Sequence, residues 1–148
     1  MIDIHQLLHG LTQDFGSADF PDATSLAAAL DLDLSGATIT KTRRKTMCIS
    51  GARLNGSGIE VGLVCGVAPL HAIWLLLLNA GIPYRDVKDE TFGDNQRVEQ
   101  SKVSSGFAVL FDKDGLRCGF TVDTPSGDVN KIFCEESNPA FGLNGARS

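Results

Sequence analysis

The sequence predicts an α+β domain in which an antiparallel sheet packs against helices, and three observations carry that reading. Apolar residues alternate with polar ones around Asn55-Gly56-Ser57-Gly58 and again along residues 107–134, the period of half-buried strands joined by tight turns. Ile4, Leu7, Leu8 and Leu11 recur instead at helical spacing. Residues 69–80 are apolar on nearly every side, which suits an element buried in the core. With 148 residues, 43% of them hydrophobic, a chain of this class can bury one self-sufficient core. Residues 1–134 are read as that single domain and residues 135–148 as a loosely attached polar tail.

The first element is a helix over residues 4–14, with Asp3 as its cap, Gln6 as reciprocal partner and Gly16 as its stop. A second short helix is expected over about residues 24–30, with Thr24 as cap and Ala27 to Ala29 as good helix formers. Residues 38–54 and 58–67 read as a hairpin. With Leu54 and Ile59 flanking the turn, Ala52 pairs with Val61, Ser50 with Leu63 and Cys48 with Cys65, and Arg53 falls opposite Glu60. Pro69 near the start and Gly81 at the end then frame an apolar helix over residues 69–80, which includes Trp74. The charged stretch 85–105 reads as a long loop, or in part as a helix near residues 95–102. Finally Phe107, Val109 and Phe111, then Leu116, Cys118, Phe120 and Val122, alternate on either side of Asp112-Lys113-Asp114-Gly115. Together with Val129 to Cys134 they form a meander packed, with the 38–67 hairpin, on the Trp74 segment.

The most apolar stretch is shorter than the roughly 17–25 residues that cross a bilayer, and no basic region followed by an apolar run marks the N-terminus for export. A cytoplasmic protein with no membrane association is therefore expected. Cys48, Cys65, Cys118 and Cys134 are widely spaced without a C-x-x-C knuckle and read as buried free thiols. The net charge of −5 is unevenly spread: residues 1–40 carry −6, residues 41–53 carry +5, and the remainder carries −4. Lys41, Arg43, Arg44 and Lys45 thus form a short basic ribbon beside an acidic third, a pattern that steers an acidic protein partner. The overall negative field and the lack of a binding signature argue against nucleic acid.

The chemistry-bearing residues are sparse. His5 and His9 share a helix face but lack a third ligand, and His71 becomes a candidate base only beside an acid such as Asp86 or Asp89. Asp31-x-Asp33-x-Ser35-Gly36 resembles the first half of an EF-hand loop, yet Thr42 stands where the bidentate Glu belongs. Leu78-x-x-Gly81-Ile82-Pro83-Tyr84 resembles part of the strand–helix–strand opening of a glutathione-transferase-like domain, with no cis-Pro strand following it. No phosphate-binding glycine motif is present. No catalytic residue, metal site or cofactor is assigned. The reading is an intracellular protein-binding adaptor, chaperone-like or immunity-like, which docks a protein partner through Lys41, Arg43, Arg44, Lys45 and Trp74 and forms a homodimer. The alternative is a small cytoplasmic hydrolase or transferase with its pocket between the 69–80 helix and the 85–105 loop.

Overall fold

A computed structural model of the chain describes residues 3–15, 20–44, 46–66, 71–100 and 106–136. Two helices, α1 (Ile4–Asp14) and α2 (Ala23–Leu30), precede nine strands: β1 (Leu32–Asp33), β2 (Thr38–Lys41), β3 (Met47–Leu54), β4 (Glu60–Gly66), β5 (Ala72–Leu77), β6 (Asp94–Gln100), β7 (Gly106–Lys113), β8 (Leu116–Asp123) and β9 (Val129–Glu136). The strands form one antiparallel sheet in the order β1-β3-β4-β5-β9-β8-β7-β6, with β2 also pairing with β3. The α+β class, a hairpin at the Asn55–Gly58 turn and the meander are present, but the single strand expected over residues 38–54 is two strands, β2 and β3, which pair with each other.

The α1 boundaries match the apolar spacing, and Asp3 accepts a hydrogen bond from the His5 amide at 2.9 Å. Gly10 allows a close crossing with α2: a Cβ there would lie 2.6 Å from Leu30 Cδ2 and 2.7 Å from the Ala29 carbonyl oxygen. Asp22, and not Thr24, caps α2, because its carboxylate accepts from both the amide (3.2 Å) and the hydroxyl (2.8 Å) of Ser25.

Two rows of inward side chains build the core. Met47, Cys65, Ile73, Cys134, Cys118 and Phe111 lie side by side across six strands, and Ile49, Leu63, Leu75, Ile132, Phe120 and Val109 form the next row. All twelve are at most 2% exposed. Each large apolar side chain so buried contributes about 1.5–3 kcal/mol. Leu8, Leu11 and Leu26 of the helices join the same cluster.

Three expectations are corrected. Residues 72–77 of the anticipated 69–80 helix form strand β5, at the centre of the sheet; Val67 to Leu70 lie outside the described residues. An all-apolar run has no helical stripe to enforce, and pairing to β4 on one side and β9 on the other decides the conformation. In β3 the register holds at Ala52↔Val61 and Arg53↔Glu60, then shifts so that Ile49 faces Leu63 and Met47 faces Cys65. Gly51, at φ +79°, makes the bulge, and a side chain would strain it there. The 85–105 stretch contains a 3-10 turn (Tyr84–Asp86 at its entry) and the edge strand β6; residues 101–105 lie outside the described set.

The connection from β5 to β6 runs from the sheet centre to its far edge. It pairs with the β8–β9 turn through Tyr84 N to Gly127 O (2.9 Å) and Val129 N to Ile82 O (2.8 Å). It then sets Phe92 against Phe111, Phe120 and the His5 ring.

Candidate functional site

Strand alternation that sends two rows inward sends the row between them outward. That row is Thr40, Cys48, Val64, Trp74, Phe133, Gly119, Leu110 and Arg97, each the register partner of the next across eight strands. Its middle is apolar: Val64, Trp74, Phe133 and Leu110 are each partly exposed, and Leu76 adjoins them one row over. Gly119 is what lets this centre close up. A Cβ there would lie 2.7 Å from Phe133 Cζ and 2.9 Å from Leu110 Cδ2, so both side chains lean over the backbone that the glycine leaves bare. At about 4.8 Å between strands, the whole row spans about 34 Å.

The ends of the row are polar and charged. Arg97 closes one end, its Nε 3.2 Å from Glu99. At the other, β2 and β3 turn through Arg43 and Arg44, both exposed, next to Thr40 and Cys48. Lys41 points toward the helices instead, where its Nζ donates to the Pro21 carbonyl at 3.3 Å. Its charge helps hold the Asp22 carboxyl below the usual range, after the stronger effect of the Ser25 hydroxyl. Lys45 lies outside the described residues. Of the residues singled out from sequence, Trp74 therefore lies in the outward row and Arg43 and Arg44 are exposed in the β2–β3 turn, whereas Lys41 serves the α2 terminus. The other members of the apolar centre, Val64, Leu76, Leu110 and Phe133, escaped sequence reading. Their signal was apolar residues at both parities of the strands, Leu110 between Val109 and Phe111 and Phe133 between Ile132 and Cys134.

Cys48 is exposed on this face, which corrects its reading as a buried thiol; Cys65, Cys118 and Cys134 are buried. Burial, with the nearby Asp14 charge, pushes the Cys65 thiol up to about 12. Asp14 itself is 2% exposed, and neither of its carboxylate oxygens has a hydrogen-bond partner among the described residues. Burial first, then the Asp22 charge, raises its pKa to about 6.

His71 meets an acid, though neither of those anticipated. Its Nδ1 lies 3.3 Å from Glu136 Oε1, and its ring stacks on Phe20 at 4.7 Å between centroids. The pair lines neither of two surface clefts. One, of about 660 Å³, lies between the start of α1 and the β3–β4 turn and includes Asp3, His5 and His9. The other, of about 540 Å³, is bounded by Tyr84, Arg85, Lys88, Phe107 and the β8–β9 turn. No described residue of the segment 69–80 lines it, and residues 72–77 are a strand rather than the helix expected to wall a pocket there. Among the described residues, no three His, Cys, Asp or Glu side chains converge as a metal-binding set, and no helix is long and apolar enough to cross a membrane.

The class that these elements define is an α+β domain with helices over one sheet face and a partly apolar opposite face. Scans against protein-family models, curated proteins and solved structures give no match.

Proposed function

We propose that this chain is an intracellular protein-binding adaptor, chaperone-like or immunity-like in manner, whose outer sheet face docks an acidic segment of a partner protein anchored by apolar side chains. The observation that carries the reading is the outward row itself, with Val64, Trp74, Phe133 and Leu110 gathered across five neighbouring strands, the fifth position being Gly119 between Phe133 and Leu110. Clustered, partly exposed apolar side chains with an aromatic anchor are the chemistry of an interface centre, and a polar rim is its usual border. The rim sets the charge of the partner segment. Arg43 and Arg44 stand exposed at one end, so an acidic group beside the apolar anchor complements them, while Arg97 at the other end is paired with Glu99. Face docking is favoured over edge docking because β6 carries Asp94, Arg97 and Glu99 and an irregular register near Asn95, features that discourage strand addition. The exposed Cys48 thiol suits a reducing compartment.

Cys48 also supplies the test. A benzophenone maleimide attached to it places a photo-crosslinker inside the row, since the other three thiols are buried. Irradiation in native-cell extract should give an adduct whose crosslinked peptide, read by mass spectrometry, carries net negative charge. The yield should fall at least tenfold in Trp74→Ser and drop with added salt in proportion to the loss seen in Arg43→Glu/Arg44→Glu, with circular dichroism confirming that each variant folds. An adduct at twice the chain's 15.7 kDa assigns the face to a second copy, the homodimer, and overturns the acidic partner. So do a basic crosslinked peptide, no adduct at all, or a yield indifferent to Trp74.

A further inference from the structure

We propose that Cys118 and Cys134 are the two halves of a cross-strand disulfide, closed by a low-molecular-weight disulfide while the β8–β9 hairpin is open to solvent. The inference is independent of the docking face. Cys118 and Cys134 are direct register partners in neighbouring antiparallel strands, and their sulfurs lie 2.8 Å apart. Directly opposed antiparallel residues have Cα atoms about 4.5–5.5 Å apart, inside the roughly 4.4–6.8 Å that a disulfide spans. The two other cysteines are placed differently. Ile73 separates Cys65 from Cys134 in the same inward row, and Cys48 faces the opposite side of the sheet.

The timing follows from the burial. Both sulfurs are fully buried between Ile73 and Phe111, and contact with Cys118 together with desolvation pushes the Cys134 thiol up. The reactive thiolate is therefore suppressed in the finished core, and the exchange belongs to folding or local opening. There, one cysteine loses its proton and its sulfur attacks the small disulfide, forming a mixed disulfide and expelling one small thiolate. The second cysteine, likewise deprotonated, attacks the protein-bound sulfur and expels the other. The two protons pass to the two departing thiolates, and the two electrons lost by the cysteine sulfurs reduce the reagent's S–S bond. In a reducing cytoplasm the pair rests as the dithiol; under oxidative conditions it closes and, once sealed in the core, is shielded from reductants.

The full chain refolded from denaturant in a buffer of glutathione and glutathione disulfide, then alkylated under denaturing conditions, should take up two labels, against four after dithiothreitol. Trypsin should release the peptide 118–131 joined to 132–147. The thermal midpoint should rise by about 10 °C on oxidation, a shift absent from the Cys118→Ala/Cys134→Ala variant. Four labels in the oxidising buffer, a bond that engages Cys48 or Cys65, or coincident oxidised and reduced melts overturn the proposal.

Discussion

Replacing Asp14 with Asn should make the protein more stable as the pH rises relative to the natural chain. Asp14 is 2% exposed at the end of α1, its carboxylate has no hydrogen-bond partner among the described residues, and Asp22 adds a like charge. Its pKa moves from 3.8 to about 6. The folded chain thus holds this proton more tightly than the unfolded chain does. Protonated, the group imposes no ionisation penalty; the penalty develops as pH rises above 3.8 and is complete above about pH 6. At about 1.36 kcal/mol per tenfold change in proton affinity, the gap amounts to about 3 kcal/mol. For a chain of this length that is about 10 °C in Tm.

The pH dependence is a cleaner readout than the absolute stability. A buried Asn amide without partners costs about 1–3 kcal/mol at every pH, which offsets part of the gain but leaves the slope untouched. Nearby groups do not confuse the window. Cys65 stays protonated, with its thiol pushed up to about 12, and Asp22 has a lowered pKa, so its contribution is lost only as pH falls below the usual carboxylate range. Urea denaturation of both proteins, followed by circular dichroism between about pH 4.5 and about pH 8, should show the variant gaining about 2 kcal/mol on the natural chain across that interval. Parallel curves would refute the reasoning. A natural chain that gains on the variant as pH rises would reverse it.

Three further substitutions probe packing. Gly119→Ala drives a methyl to 2.6 Å from the Val109 carbonyl oxygen and 2.7 Å from the Phe133 ring, and should cost about 1–3 kcal/mol in chemical denaturation. Gly10→Ala sets a methyl 2.7 Å from the Ala29 carbonyl oxygen, so although alanine is the better helix former, the variant should be less stable by a similar amount, about 1–3 kcal/mol. An increase in stability would show that α1 and α2 do not cross so closely. Phe111→Ala empties a fully buried site against Phe92 and should lower stability by about 3–5 kcal/mol, read from the urea midpoint; a loss below about 1 kcal/mol would place that ring outside the core.

Legibility in the sequence tracked how local the deciding interaction was. The Asp114-Gly115 turn, with φ of 53° and 78°, and the pairing beside the Asn55–Gly58 turn follow from residues adjacent in the chain. The bulge at Gly51 lies beyond that reach. Ile49 and Met47 have the parity opposite to Ala52 and Leu54, and only the inserted residue reconciles them with one core face. Strand β5 was illegible for a different reason. Ile73, Leu75 and Leu77 face inward while Trp74 and Leu76 face outward, but all five are apolar, so neither period shows. The outward apolar row is illegible for the same reason: Trp74 stands out in the sequence, yet its neighbours across the sheet come from segments far from it in the chain.

The outward row has one residue from each of eight strands, and its apolar centre comes from β4, β5, β9 and β7. A hairpin of two consecutive strands holds at most two of these four, so no isolated hairpin can reproduce the surface. Any molecule that recognises the row distinguishes a finished chain from an unfinished one, and its binding energy adds to the stability of the entire sheet at once. Cells that degrade the unbound chain would then be sensing occupancy through global unfolding, and the half-life of the protein would rise and fall with the supply of its partner.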